Sequence, residues 1–205
     1  MPRPSRPILS RDSIVEGALR IMDRDGFSGF TLPRLGHELG VRTPSLYYHF
    51  RDRAELLSGV ARGIVEQTAL PPTPTEGHWD AWFVELAVNF RRAALRHSNA
   101  VPVLLQFLPH DVMTDLYENA AALLDRSGDL DPTHRLLLLE GLEKLTIGAI
   151  VVEALRASDQ PRAFDSVDPA THPRLAEAGA QSADAEDLFR QTARTFVRGV
   201  RNPSN

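Results

Sequence analysis

At 205 residues and 22.7 kDa, with 42% hydrophobic and 24% charged residues, the chain suits one large domain or a small one joined to a larger, and wholesale disorder is excluded. The absence of cysteine excludes a disulfide scaffold, a cysteine nucleophile and any thiolate-held zinc or iron–sulfur centre. The net charge of −4 hides an asymmetry: residues 1–53 carry nine arginines against six acids, for +3, while the other 152 carry 14 basic and 21 acidic groups, for −7. Such a split suggests a small basic module that meets a polyanion, joined to an acidic body.

Residues 1–10 hold Arg3, Arg6 and three prolines without an apolar stretch of signal-peptide length, and read as a loose arm on a cytoplasmic chain. From Arg11 to Asp25 the residues Ile14, Val15, Ala18, Leu19 and Met22 recur at three- and four-residue steps, which predicts a helix capped by Ser10 and stopped by Gly26. Thr31 caps a second helix over 32–39, where Pro33 sits harmlessly in the first turn and Gly40 closes. Val41, Arg42 and Thr43 lead to a helix over 44–49 that Pro44 opens. Asp52 then caps a fourth, running to about Ala69 on the stripe Leu56, Leu57, Val60 and Ile64.

The segment Leu70-Pro71-Pro72-Thr73-Pro74-Thr75 cannot be helical and breaks the chain. Helices are expected beyond it over 76–97, 101–108, 110–126 and 131–157. Residues 158–183, rich in Asp, Pro, Ala and Ser, read as a mobile loop before a last amphipathic helix over 183–200. No strand-like alternation persists and no internal repeat occurs, so the fold class is all-α. Apolar runs such as Leu136 to Leu139 are far short of the roughly 20 residues of a membrane helix, and no membrane partner is expected.

Helix 32–39, its short connection and helix 44–49 form a helix-turn-helix, whose second element fits a major groove about 12 Å wide. Thr43, Ser45 and Tyr48 point outward in this arrangement and suit base edges, whereas Thr31, Tyr47, His49 and Arg53 suit phosphate oxygens. Taken singly, Tyr47 also fits a core aromatic, His49 a helix C-terminus and Arg53 a solvated helix start. His37-Glu38 begins a His-Glu-x-x-His zinc motif, but Val41 stands where the second histidine belongs, so no metal or cofactor is expected.

Residues 10–65 resemble the DNA-binding domain of the tetracycline-repressor (TetR) family. The likeness rests on Phe30-Thr31-Leu32, Leu35-Gly36, Leu39-Gly40-Val41 and above all Pro44-Ser45-Leu46-Tyr47-Tyr48-His49-Phe50, followed by Arg53 and Leu56-Leu57. The resemblance implies a transcription regulator, with Thr43, Pro44, Ser45 and Tyr48 on the base side, Thr31, Tyr47, His49 and Arg53 on the backbone side, and Arg42 among the DNA-binding residues. Pro33 departs from it where the tetracycline repressor reads a guanine with arginine, so operator preference does not transfer.

The run Trp79-Asp80, Leu86-Ala87, Phe90-Arg91-Arg92-Ala93, Leu95-Arg96-His97 is similar to the C-terminal ligand-binding domain of the same class, and Leu145 to Ala154 to its dimer helix. The implied layout is 1–53 for arm and helix-turn-helix, 54–75 for connecting helix and linker, and 76–205 for ligand binding and dimerisation. Candidate effector contacts are Trp82, Leu86, Phe90, Leu104, Phe107, Leu108 and Met113, with His97, His110 or Tyr117 as a polar handle. Leu86 and Leu104 stand where tetracycline is hydrogen-bonded, so the expected effector is a small, largely apolar molecule rather than that drug with magnesium.

In the helix over 131–157, Leu138, Gly141, Leu145, Gly148 and Val152 recur at three- and four-residue steps, and the last helix offers Leu188, Phe189 and Phe196. Either these stripes pair with a second copy in a four-helix interface or they fold onto their own chain. The expectation is a homodimeric, effector-released repressor of a palindromic DNA operator. The rival, an all-α enzyme or binding protein for an apolar small molecule, lacks paired carboxylates, a nucleophile with an adjacent base, or metal spacing.

Overall fold

In the computed structural model, residues 9–74, 78–128, 130–156, 167–180 and 184–202 are described, and every regular element among them is helical. The chain divides into two units, one of residues 1–68 with 93–116 and the other of 69–92 with 117–205.

The first unit starts with α1 (Arg11–Asp25). The Ser10 hydroxyl accepts from the Ser13 N–H at 3.1 Å while Ser13 Oγ accepts from the Ser10 N–H at 2.9 Å, so two otherwise orphaned donors are satisfied. Ile14, Ala18, Ile21 and Met22 form the buried face of α1. α2 (Leu32–Glu38) has Thr31 as its cap and Pro33 in its first turn, as the sequence predicts. Gly40 follows with φ +66, a left-handed turn that a side chain would strain. A Cβ on Gly36 would lie 2.9 Å from the Val41 carbonyl oxygen, so the turn closes tightly only because glycine stands there.

The next helix, α3, is shorter than its pattern predicts: it spans Thr43–Leu46, and residues 47–49 continue as a turn. The reason lies in Phe50, which is buried beneath α1 and α4 (Arg53–Glu66), so the chain must leave the helix to seat the ring before the Asp52 carboxylate caps α4 through the Glu55 N–H at 2.8 Å.

Residues 93–116 complete this unit. They comprise the end of α5 (Trp79–Leu95), α6 (Val101–Gln106) and the start of α7 (His110–Ser127). Ala93, Ala94, Ala100, Val101, Val103 and Leu104 are buried. His97 Nδ1 lies 2.9 Å from Asp23 of α1 and Asn99 donates to the Asp23 carbonyl at 2.8 Å. These partners stand more than 70 residues apart in sequence, so the linear division at residue 76 gives no hint of them.

The second unit packs Trp79, Phe83 and Val88 of α5 against Ala120 and Leu124 of α7, Leu138 and Leu142 of α8 (Pro132–Leu155), and Phe189, Ala193 and Val197 of α10 (Ala185–Arg201). Within residues 158–183, expected as a loop, the structure contains α9 (Pro173–Ala180), none of whose residues is buried; residues 157–166 and 181–183 lie outside the described ones. Pro173 opens α9 and Leu175, Ala176 and Ala178 favour helix, a local preference the polar composition masks.

Candidate nucleic-acid interface

At α3 the backbone brings together a compact set of uncommitted polar groups. Tyr48 is 88% exposed and Tyr47 51%, so neither is the core aromatic that its apolar ring allows. The side chains of Arg42, Thr43, Ser45, Tyr47, Tyr48 and His49 make no hydrogen bond or ion pair among the described residues. Leu46 points the other way and is buried, which turns Ser45 and Tyr48 away from the core. Pro44 is exposed beside them and has no N–H to satisfy.

Around this set lie groups with partners. The Thr31 hydroxyl accepts from the Arg34 N–H at 3.3 Å as the cap of α2, which leaves its own hydrogen available to an outside acceptor. Arg53 lies 5.7 and 5.8 Å from the ring centroids of Phe27 and Phe30, so its charge is steered by aromatic faces rather than by a carboxylate. Arg34 is occupied: it donates to the Gly29 carbonyl at 2.8 Å and to Asp25 at 2.6 Å. Asp25 is held below the usual carboxylate range, chiefly by hydrogen bonds from Arg24.

Three further residues, Arg11, Arg51 and Glu55, carry no motif signal, yet they bracket the turn. Glu55 receives the Arg51 N–H at 2.7 Å, the Arg51 Nε at 3.2 Å and the Arg11 guanidinium at 2.9 Å. The Arg51 backbone N–H, and after it Arg11, holds the Glu55 carboxyl down at about 2. Arg11 and Glu55 stand 44 residues apart, which hides that pair from any local pattern.

The candidate effector contacts fall in both units. Leu104 and Met113 are buried and Phe107 and Leu108 partly buried in the first. His97 there is not a free polar handle, because Asp23 and Gln67 take both ring nitrogens at 2.9 and 3.2 Å. The side chain of His110 lies outside the described ones. In the second unit Trp82, Leu86, Phe90 and Tyr117 are partly buried, and the Trp82 indole donates to the Pro71 carbonyl at 3.1 Å. The Tyr117 hydroxyl is sealed from solvent; burial first, and then the neighbouring Glu143 carboxylate, pushes its pKa up.

The candidate interface stripe on α8 splits. Leu138 is fully buried in its own unit, and a Cβ on Gly141 would meet Phe196 of α10 at 2.3 Å, so this glycine admits a ring of the same chain rather than a second copy. Phe189 is buried and Leu145 and Phe196 pack on the same core. Gly148, Val152 and Leu188 stay exposed. The three-four spacing fits both faces of a helix that is apolar nearly all round, so spacing alone does not say which positions pack within their own unit.

The fold and the exposed helix-turn-helix define a DNA-binding regulator, and comparison with known proteins agrees. Residues 14–60 match the family model of bacterial regulatory proteins of the tetR family. The tetracycline repressor protein class D of Escherichia coli is 27% identical over 197 residues, covering 93% of this chain and 88% of that one. Apo ActR from Streptomyces coelicolor superposes with a TM-score of 0.73 at 26% identity, over 94% of both chains. ActR in complex with (S)-DNPA gives 0.70 at 25% identity, over 96% of this chain and 99% of that one. Over its N-terminal segment the chain is thus similar to the DNA-binding part of tetR-family regulators, and over nearly its whole length it is similar to a tetracycline repressor and to ActR. No helix among the described residues is long and apolar enough to cross a membrane.

Proposed function

We propose that the protein is a homodimeric repressor that reads a palindromic operator through Thr43, Pro44, Ser45 and Tyr48, grips phosphates through Thr31, Arg42, Tyr47, His49 and Arg53, and leaves DNA when a small, largely apolar effector binds. The observation that carries the DNA reading is the cluster of unpartnered hydroxyls and the free Arg42 on an exposed turn whose other face is buried. Small hydroxyls accept or donate to either base type, and arginine neutralises phosphate without sequence preference.

The dimer follows from two arguments. A single turn of helix reads only a few base pairs, whereas two heads about 34–36 Å apart read both halves of a repeat. Leu136, Leu137, Val152 and Leu155 are also exposed on α8, with Leu188 on α10; such an apolar surface is costly in water unless a partner covers it. The covering partner is a second copy, with Gly148 at the approach, since its side is open.

For the effector, the relative named for tetracycline and ActR with its bound (S)-DNPA support a small-molecule ligand. Tyr117, a hydroxyl sealed from solvent beside Glu143, is the polar contact proposed here, with Trp82, Leu86 and Phe90 as apolar ones. Footprinting on genomic fragments tests the whole reading. Protection of a discrete inverted repeat, shifted when Ser45 and Tyr48 are replaced, is expected; protection of every sequence as salt is lowered would overturn it.

A further inference from the structure

Arg11 opens α1, yet its side chain is directed at the far end of the reading turn. Its Nη1 donates to the His49 carbonyl at 2.5 Å, its Nη2 to Glu55 Oε1 at 2.9 Å, and its guanidinium carbon lies 4.3 Å from the Phe50 ring centroid. Through its second oxygen Glu55 holds the Arg51 N–H at 2.7 Å. The backbone is thus fixed at residues 49 and 51, on both sides of the buried Phe50, by one ion pair whose halves come from α1 and α4. Helix α3 has a single turn, too few hydrogen bonds to hold a direction by itself. The aim of Tyr47 and Tyr48 therefore depends on what grips the turn from outside.

We propose that Arg11 and Glu55 are positioning residues for sequence discrimination: they set the angle at which Ser45 and Tyr48 meet base edges. This rests on the reading of Ser45 and Tyr48 as base contacts. Base-edge hydrogen bonds require close placement, whereas long side chains reach phosphates from many angles, so loss of the pair lowers discrimination more than general DNA affinity. Arginine is required because one planar group supplies two diverging donors and a face for the ring; lysine supplies one point charge.

The test uses the full chain. Wild-type protein selects a duplex from a random-sequence library, and affinities are then measured for that duplex and for a scrambled one of equal length. Arg11→Ala is expected to lose about tenfold on the selected duplex and under about twofold on the scrambled one. Arg11→Lys should recover only part of the loss, and Arg11→Ala with Glu55→Ala should match Arg11→Ala alone, as expected of one unit. Equal losses on both duplexes, or an unchanged ratio in variants folded at the assay temperature, overturns the proposal. If Arg11→Ala does not fold, the ratio measured for Arg11→Lys decides. A wild type that prefers no duplex overturns the base reading itself and this proposal with it.

Discussion

Arg42 and Glu55 lie within a few residues of the same turn, yet they differ in what surrounds them, and that difference sets what each substitution does. Arg42 is exposed and without a partner, so Arg42→Ala should leave the unfolding midpoint unchanged within about 0.5 kcal/mol. It should weaken binding to every duplex and lower the slope of log affinity against log salt by about one; an unchanged slope would remove Arg42 from the phosphate contacts. Glu55 has a carboxyl held down at about 2 against an ordinary 4.5. Its contribution to stability is therefore fully present above about pH 4.5 and is lost as pH falls towards 2. An acid titration of Glu55→Gln should lack that part of the wild-type decline, and superimposable curves would show the carboxylate to be idle.

Among elements, α5, α8 and α10 meet at one buried arginine. Arg91, whose side chain is only 7% exposed, donates through Nε to Glu153 Oε1 at 2.9 Å and pairs through Nη2 with the other Glu153 oxygen. It also approaches Glu186 at 3.7 Å and lies 5.7 Å from the Phe189 ring centroid. Taking one partner from a buried pair strands the other charge, a cost of about 3–5 kcal/mol, whereas replacing both by apolar groups of similar volume is often near neutral. Thermal unfolding should show Arg91→Ala strongly destabilised and Arg91→Met with Glu153→Met much less so. A loss under about 1 kcal/mol for Arg91→Ala would mean that water already reaches the pair.

At the scale of the whole molecule, the exposed half of α8 is the proposed dimer face, on which the proposed reading of an inverted repeat depends. Val152 is 68% exposed and Leu155 74%, so neither contributes much to the packing of its own chain. Val152→Arg should therefore leave the fold intact while placing a charge in the proposed dimer face. Sedimentation velocity is expected to show a monomer, and affinity for the inverted repeat should fall because the two half-sites are no longer bound together. A Val152→Arg protein that sediments as a dimer would place the interface elsewhere.

Much of this protein was determined by local sequence. Ser10, Thr31 and Asp52 cap helices because short oxygen-bearing side chains satisfy the first free N–H groups. Apolar spacing along α1 and α4 fixes which faces are buried, and the run from Pro44 to Phe50 marks the reading turn. Tertiary structure decided what spacing leaves open. It ended α3 at Leu46 to seat Phe50, gave Gly141 to Phe196 of the same chain, placed residues 93–116 with the reading head and tied His97 to Asp23. Each of these depends on contacts between residues dozens of positions apart. A helix that is apolar on every side, such as α8, does not declare which side faces inward, because periodicity reports only that a face is apolar and never what covers it.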